Sequence, residues 1–308
     1  MGSRSMTAGS AQGSAPGAAG WLGRLPRPWL DRAGRVSPLR IGTLLLLCLP
    51  ALSMLLDWRS GSLEPEVLDA LTHATGLWSI RILMLSLAVT PFGALAQSTR
   101  VLQLRRMIGV ASLVYVLAHL VFFTALQNFL LATVVAEIVK RPYLLIGFVS
   151  LVGLAVLGWT STDGALLRLG RAWKRLHRLV FPVAVLASVH FFLQSKSDVT
   201  EAVFTAGLFV WLVGWRLLPR LSRTSPLALL GLAVATCVLT AGLEYLWYAT
   251  ATGIPAHRVL EANWTAAAGL RPAVQLLLLG CGVSLARAIW MRLPSRPAPS
   301  RRERRVSV

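Results

Sequence analysis

Apolar residues in this chain come in long continuous runs, not in the alternation that marks a half-buried helix or strand. Eight runs lie near residues 41–56, 77–97, 107–126, 143–160, 178–194, 202–218, 226–248 and 272–292. Each holds roughly 16 to 23 residues, about the length a helix needs to cross a bilayer. The pattern predicts an all-α fold, a polytopic transmembrane helix bundle of about eight spans. Pro91, inside Val89-Thr90-Pro91-Phe92-Gly93, removes a backbone donor and is expected to kink or break the inner end of the second span. Thr160-Ser161-Thr162-Asp163-Gly164 ends the fourth with turn and cap formers. Trp58, Trp78, Trp159 and Trp215 fall near predicted span ends, where interface anchors are expected. The run Ile41–Leu56 is expected to remain as a span, since no small-residue cleavage site follows it.

Composition agrees with a membrane protein: 55% of the 308 residues are hydrophobic and 14% charged. The formal charge of +19 raises nucleic acid as a partner, but no nucleic-acid motif accompanies it, and Arg and Lys sit between or beyond the apolar runs. One set of flanks holds the N-terminal arginines, Arg100, Arg105, Arg106, Arg168 to Arg178, Arg216, Arg220, Arg223 and the tail RRERR. The opposite set holds only Arg59, Lys140, Arg141, Lys196, Arg258 and Arg271, together with most of the acids. This asymmetry predicts that both termini face the cytoplasm. Basic residues 168–178 would then face an acidic donor or lipid head groups, or serve orientation alone. Cys48, Cys237 and Cys281 lack metal-ligand spacing and read as packing residues.

The histidines bring in chemistry. His119 lies thirteen residues beyond Arg106, and His190 thirteen beyond His177, on spans that climb in the same direction. At 1.5 Å per residue both stand roughly 20 Å from the cytoplasmic face, in the outer half of the membrane. An ionisable group at such depth is a functional candidate, and imidazole is a common axial ligand of haem iron. Two imidazoles at one level on parallel helices are therefore expected to clamp one haem from both sides. The competing reading gives each histidine a polar contact between helices. His177 has no partner histidine on the third span, which offers Arg105 and Arg106 instead. A second haem, a quinone, a flavin phosphate and a simple interfacial position all stay open for it. Arg81, about one turn into the second span, is expected either to pair with a haem propionate or to snorkel to the interface. His73 and His257 are expected in outer loops without a role.

Several landmarks together resemble the MsrQ family, also called YedZ, within the ferric-reductase-like transmembrane group. They are Leu87-Ala88-Val89-Thr90-Pro91-Phe92-Gly93, then Arg105-Arg106-Met107-Ile108-Gly109 leading to Tyr115 and His119. Lys140-Arg141-Pro142-Tyr143, the TSTDG turn, Trp173 through Val180 and Val189-His190-Phe191 follow. The resemblance implies a haem b subunit of the bacterial inner membrane. It would carry electrons from quinol or a cytoplasmic flavin reductase to a periplasmic molybdopterin subunit that reduces methionine sulfoxide in oxidised proteins. It also implies FMN, for which no phosphate-cradling Gly-rich loop is present, and it marks His119, His177 and His190 as the histidines that matter. On this basis 1–40 is a disordered cytoplasmic tail and 41–220 the six-span haem-binding core. Residues 221–294 are two additional spans outside the usual family length, and 295–308 is a basic tail. A metal-ion reductase or cytochrome b with another acceptor is the alternative from the same chemistry. A transporter relaying protons through its intramembrane histidines is the alternative from another class.

Overall fold

Backbone amides in hydrocarbon have no water to bond, so each apolar run closes its hydrogen bonds on itself as a helix. The computed structural model describes residues 29–30, 34–195, 198–263, 265 and 269–293. The tail through residue 28, Lys196 and the basic tail 295–308 lie outside the described residues. Among the described residues there are thirteen α-helices and no β-strand. They are α1 (Pro38–Arg59), α2 (Val67–Leu95), α3 (Thr99–Leu102), α4 (Arg105–Leu126), α5 (Leu131–Lys140) and α6 (Pro142–Trp159). There follow α7 (Asp163–Leu169), α8 (Arg171–Leu176), a 3₁₀ turn (His177–Leu179), α9 (Val180–Gln194) and α10 (Thr200–Leu217). The last three are α11 (Pro226–Ala251), α12 (Ala256–Ala262) and α13 (Pro272–Arg292).

All eight predicted runs are helical, and seven helices are long and apolar enough to cross a membrane. The exception is α10, an 18-residue helix that carries Glu201 in its first turn and Arg216 in its last. Those two charges lower its mean hydropathy, while its flank Ala202, Val203, Thr205, Trp211, Leu212 and Trp215 is buried in the bundle. It stands beside them as the eighth apolar helix, with its two charges at its ends and one flank turned into the bundle. The second span begins ten residues earlier than its apolar run, because α2 starts at Val67 with Asp69 in the first turn.

The described residues fall into two compact units, those up to Leu46 and those from Leu47 on. In the first, Leu30 and Val36 make an isolated antiparallel bridge, and the Arg40 guanidinium donates to the Leu30 carbonyl. In the second, α2 packs along α4 and α6 along α9, and these two hairpins meet through α4 with α6 and α2 with α9. Helices α11 and α13 pair with each other and against α10. Lipid tails are as apolar as leucine, so packing and interhelical hydrogen bonds hold such helices together, not burial alone. Ser79 Oγ donates to the Ser112 carbonyl at 3.2 Å, and Ser112 Oγ donates back to the Ser79 carbonyl at 2.9 Å. Tyr115 Oη donates to the Leu47 carbonyl at 2.8 Å and accepts from the Ala51 amide at 3.1 Å, tying α4 to α1.

Pro91 does not break α2, which runs on to Leu95. The carbonyl that Pro91 leaves without its helical donor is that of Leu87, four residues back. Arg216 of α10 supplies the missing donor, its Nη2 reaching Leu87 O at 2.6 Å. The C-terminal carbonyl of Leu95 is met by Arg287 Nη1 of α13 at 3.1 Å. Trp215 also departs from expectation. It is 3% exposed, with Nε1 donating to the Arg223 carbonyl at 3.0 Å, and anchors no interface.

Candidate functional site

His119 on α4 and His190 on α9 come together, their ring centroids 6.4 Å apart and the ring planes crossed at 77°. Each ring has one nitrogen committed. His119 Nδ1 meets the Thr72 carbonyl of α2 at 2.8 Å, and His190 Nδ1 meets the Tyr143 carbonyl of α6 at 2.8 Å. A carbonyl accepts only, so Nδ1 is the protonated nitrogen in both and Nε2 keeps its lone pair for a metal.

The two environments repeat each other along the chain. Thr72/Tyr143, Gly76/Gly147, Ser79/Ser150, Ser112/Val183 and His119/His190 are each separated by 71 positions. Ser150 Oγ donates to the Val183 carbonyl at 3.1 Å, as Ser79 Oγ does to Ser112. Both hairpins open on a cavity of about 1050 Å³, measured to include its mouth. Of its 21 lining residues, all but Ile138 of α5 fall into pairs with that same separation. The cavity is therefore one two-fold site with the histidine pair across it. Its wall is mostly apolar, with Leu77, Ile80, Leu83, Phe148, Leu151 and Phe191 among its members.

The donor set restricts what can sit there. Among the described residues no group of three or more His, Cys, Asp or Glu side chains gathers to cage a metal. Two metal–nitrogen bonds of roughly 2 Å, each extended by about 1.1 Å to the ring centre, set imidazole centroids roughly 6 Å apart. The observed 6.4 Å matches that span. The donor set would suit an ion held by these two imidazoles whose other ligands come from a bound macrocycle.

The other candidates lie elsewhere. His177 sits in the 3₁₀ turn, stacked on Trp173 with ring centroids 3.8 Å apart, its Nε2 3.4 Å from Ser161 Oγ. Trp173 Nε1 in turn donates to the Thr160 carbonyl at 2.8 Å, and Thr162 caps α7 by accepting from the Ala165 amide at 3.1 Å. Seventy-one positions before His177 stands Arg106, which pairs with Asp163 at 2.6 Å. The repeat therefore puts no second imidazole at that level. Arg81 does not line the histidine cavity. It pairs with Glu201 of α10 at 2.9 Å and lies over the Trp78 ring. At 100° per residue it stands about a third of a turn from the middle of the cavity-lining stripe of α2. His73 is on α2 and not in a loop; it lies 3.6 Å from Asp69 and lines the cavity.

Residues 75–188, which include α4, α6 and most of the two hairpins, match the ferric reductase like transmembrane component family. A protein-methionine-sulfoxide reductase heme-binding subunit MsrQ from Xanthomonas axonopodis pv. citri (strain 306) is 39% identical over 168 residues, 54% of this chain and 77% of its own length. The MsrQ of Rhodospirillum rubrum is 39% identical over 165 residues, 53% of this chain and 79% of its own. The chain belongs to the MsrQ family. No solved structure matches it. Within this MsrQ chain, sequence reasoning had reached the histidine pair but missed Thr72, Gly76, Tyr143 and Gly147. The signal for the glycines was in the spacing: of the Gly-x-x-Ser segments, Gly76–Ser79 and Gly147–Ser150 each start 43 residues ahead of a deep histidine.

Proposed function

We propose that this chain holds one haem b between His119 and His190 and serves as the electron-carrying membrane subunit of a methionine sulfoxide reductase system. The observation that carries this reading is the crossed imidazole pair, 6.4 Å apart, each ring fixed through Nδ1 to a carbonyl on the neighbouring helix. The name of its relatives, heme-binding subunit, supports the same cofactor. When bound, the haem supplies one-electron exchange at its iron.

The protein's own residues do the rest. His119 and His190 would hold the iron through their free Nε2 atoms. The Thr72 and Tyr143 carbonyls make both imidazoles more basic and fix their tautomer. The apolar lining excludes water and lowers the local dielectric, which tunes the potential. In the orientation set by the basic flanks, both termini lie in the cytoplasm and the cavity in the outer half of a bacterial inner membrane. Electrons then enter from quinol or a cytoplasmic flavin reductase and leave to a periplasmic molybdopterin subunit that reduces methionine sulfoxide. His177, held by Trp173 and Ser161 at the basic end of its span, belongs to the entry side, where FMN or a quinone would approach.

The test is the absorption spectrum of the purified protein expressed with ample haem. A haem band in the wild type that is lost in both His119→Ala and His190→Ala is expected. A colourless, well-folded wild type, or a band that survives both substitutions, overturns the assignment.

A further inference from the structure

We infer that Gly76 and Gly147 are positioning residues, which let each imidazole lie flat against the neighbouring helix and so set the crossed angle of the two rings. The inference rests on His119 and His190 being the axial pair. A Cβ built on Gly147 would stand 2.7 Å from His190 Nδ1 and 2.8 Å from Cε1. One built on Gly76 would stand 3.0 Å from His119 Nδ1 and 3.1 Å from Cε1. At both glycines the three nearest atoms all belong to the histidine ring. Elsewhere in α6 a missing side chain makes room for an aliphatic neighbour instead: Val183 at Gly153 and Leu113 at Gly158.

The ring cannot yield by turning. Its Nδ1 is held by the carbonyl of Thr72 or Tyr143, one helical turn before the glycine on the same helix. Rotating the imidazole away from a new methyl group breaks that hydrogen bond; keeping the bond drives the ring into the methyl. Carbonyl and glycine together make a slot of one orientation, and the repeat provides two such slots, which cross the rings at 77°. Ring crossing has an electronic signature. Crossed axial imidazoles leave the dxz and dyz orbitals of a low-spin ferric haem nearly degenerate and give one dominant large-g electron paramagnetic resonance feature. Near-parallel rings give a rhombic, three-line spectrum.

The experiment compares full-length, haem-loaded wild type with Gly147→Ala, Gly76→Ala and the control Gly109→Ala, whose new methyl meets only Ser86 Oγ at an ordinary 3.4 Å. Low-temperature electron paramagnetic resonance of the oxidised proteins is read alongside the midpoint potential. The large-g feature is expected in the wild type and control and moves toward the rhombic pattern in both cavity variants, further in Gly147→Ala. A wild-type spectrum and potential in a folded Gly147→Ala protein overturn the inference, even where its melting temperature falls. Should Gly147→Ala fail to fold, Gly76→Ala, with the milder clash, decides by the same criterion. Loss of the axial-pair reading itself shows separately, as haem retained in His119→Ala and His190→Ala.

Discussion

Pro91 removes one backbone donor from a buried helix, and a guanidinium from 125 residues away in sequence takes its place. Leu87 is 2% exposed, so its carbonyl has no water to turn to. An unsatisfied buried acceptor costs about 1–3 kcal/mol, and Arg216→Met is expected to lower stability by about that much. The cost should shrink in a Pro91→Ala background, where the substituted residue brings its own amide; thermal unfolding of the four proteins measures the coupling. None of this was legible from the proline, which by itself promises a kink. The same limit applies to Arg81, whose partner Glu201 lies 120 residues on and is brought alongside only by the packing of α10. His177, by contrast, is described by its near neighbours Trp173 and Ser161. Its substitution by alanine is expected to leave the absorbance of the His119–His190 site in place while slowing reduction from the cytoplasmic donor. Loss of all haem in that variant contradicts the expectation.

At the scale of elements, the two helical hairpins explain why the histidine pair was readable in advance and its supports were not. Basic residues mark where α4 and α9 begin, and a fixed rise per residue turns thirteen positions into equal depths. The supports act through backbone carbonyls and through an absent side chain, so Thr72 and Tyr143 share no chemistry that a reader of side chains would match. Only the spacing repeats. The added pair α11 and α13 has its own polar core: Glu244, 1% exposed, accepts from Arg271 and, at 3.3 Å, from Asn263 Nδ2. Removing one member of a buried pair costs about 3–5 kcal/mol, because the other charge stays behind. Glu244→Ala is therefore expected to unfold at markedly lower temperature or denaturant concentration. None of the three residues lines the histidine cavity, so haem bound per folded molecule should not change.

Across the whole molecule, the membrane imposes helices, the basic flanks orient them, and two repeated hairpins bring a pair of imidazoles to one level. The runs of apolar residues were enough for the bundle, including α10, whose charges sit at its two ends and whose flank is buried. Helix α13 reaches the core through Arg287, which donates to the ends of two other segments, Leu95 O at 3.1 Å and Thr224 O at 3.2 Å. The additional helices are thus fastened to the hairpin that carries Thr72 and Gly76. Everything proposed about electron transfer depends on the iron being held by two histidines. Near-infrared magnetic circular dichroism of the oxidised, purified protein reads axial ligation directly. The low-spin charge-transfer band of bis-imidazole haem is expected in the wild type and absent from both His119→Ala and His190→Ala. A high-spin spectrum, or a band belonging to any other ligand pair, contradicts a two-histidine site.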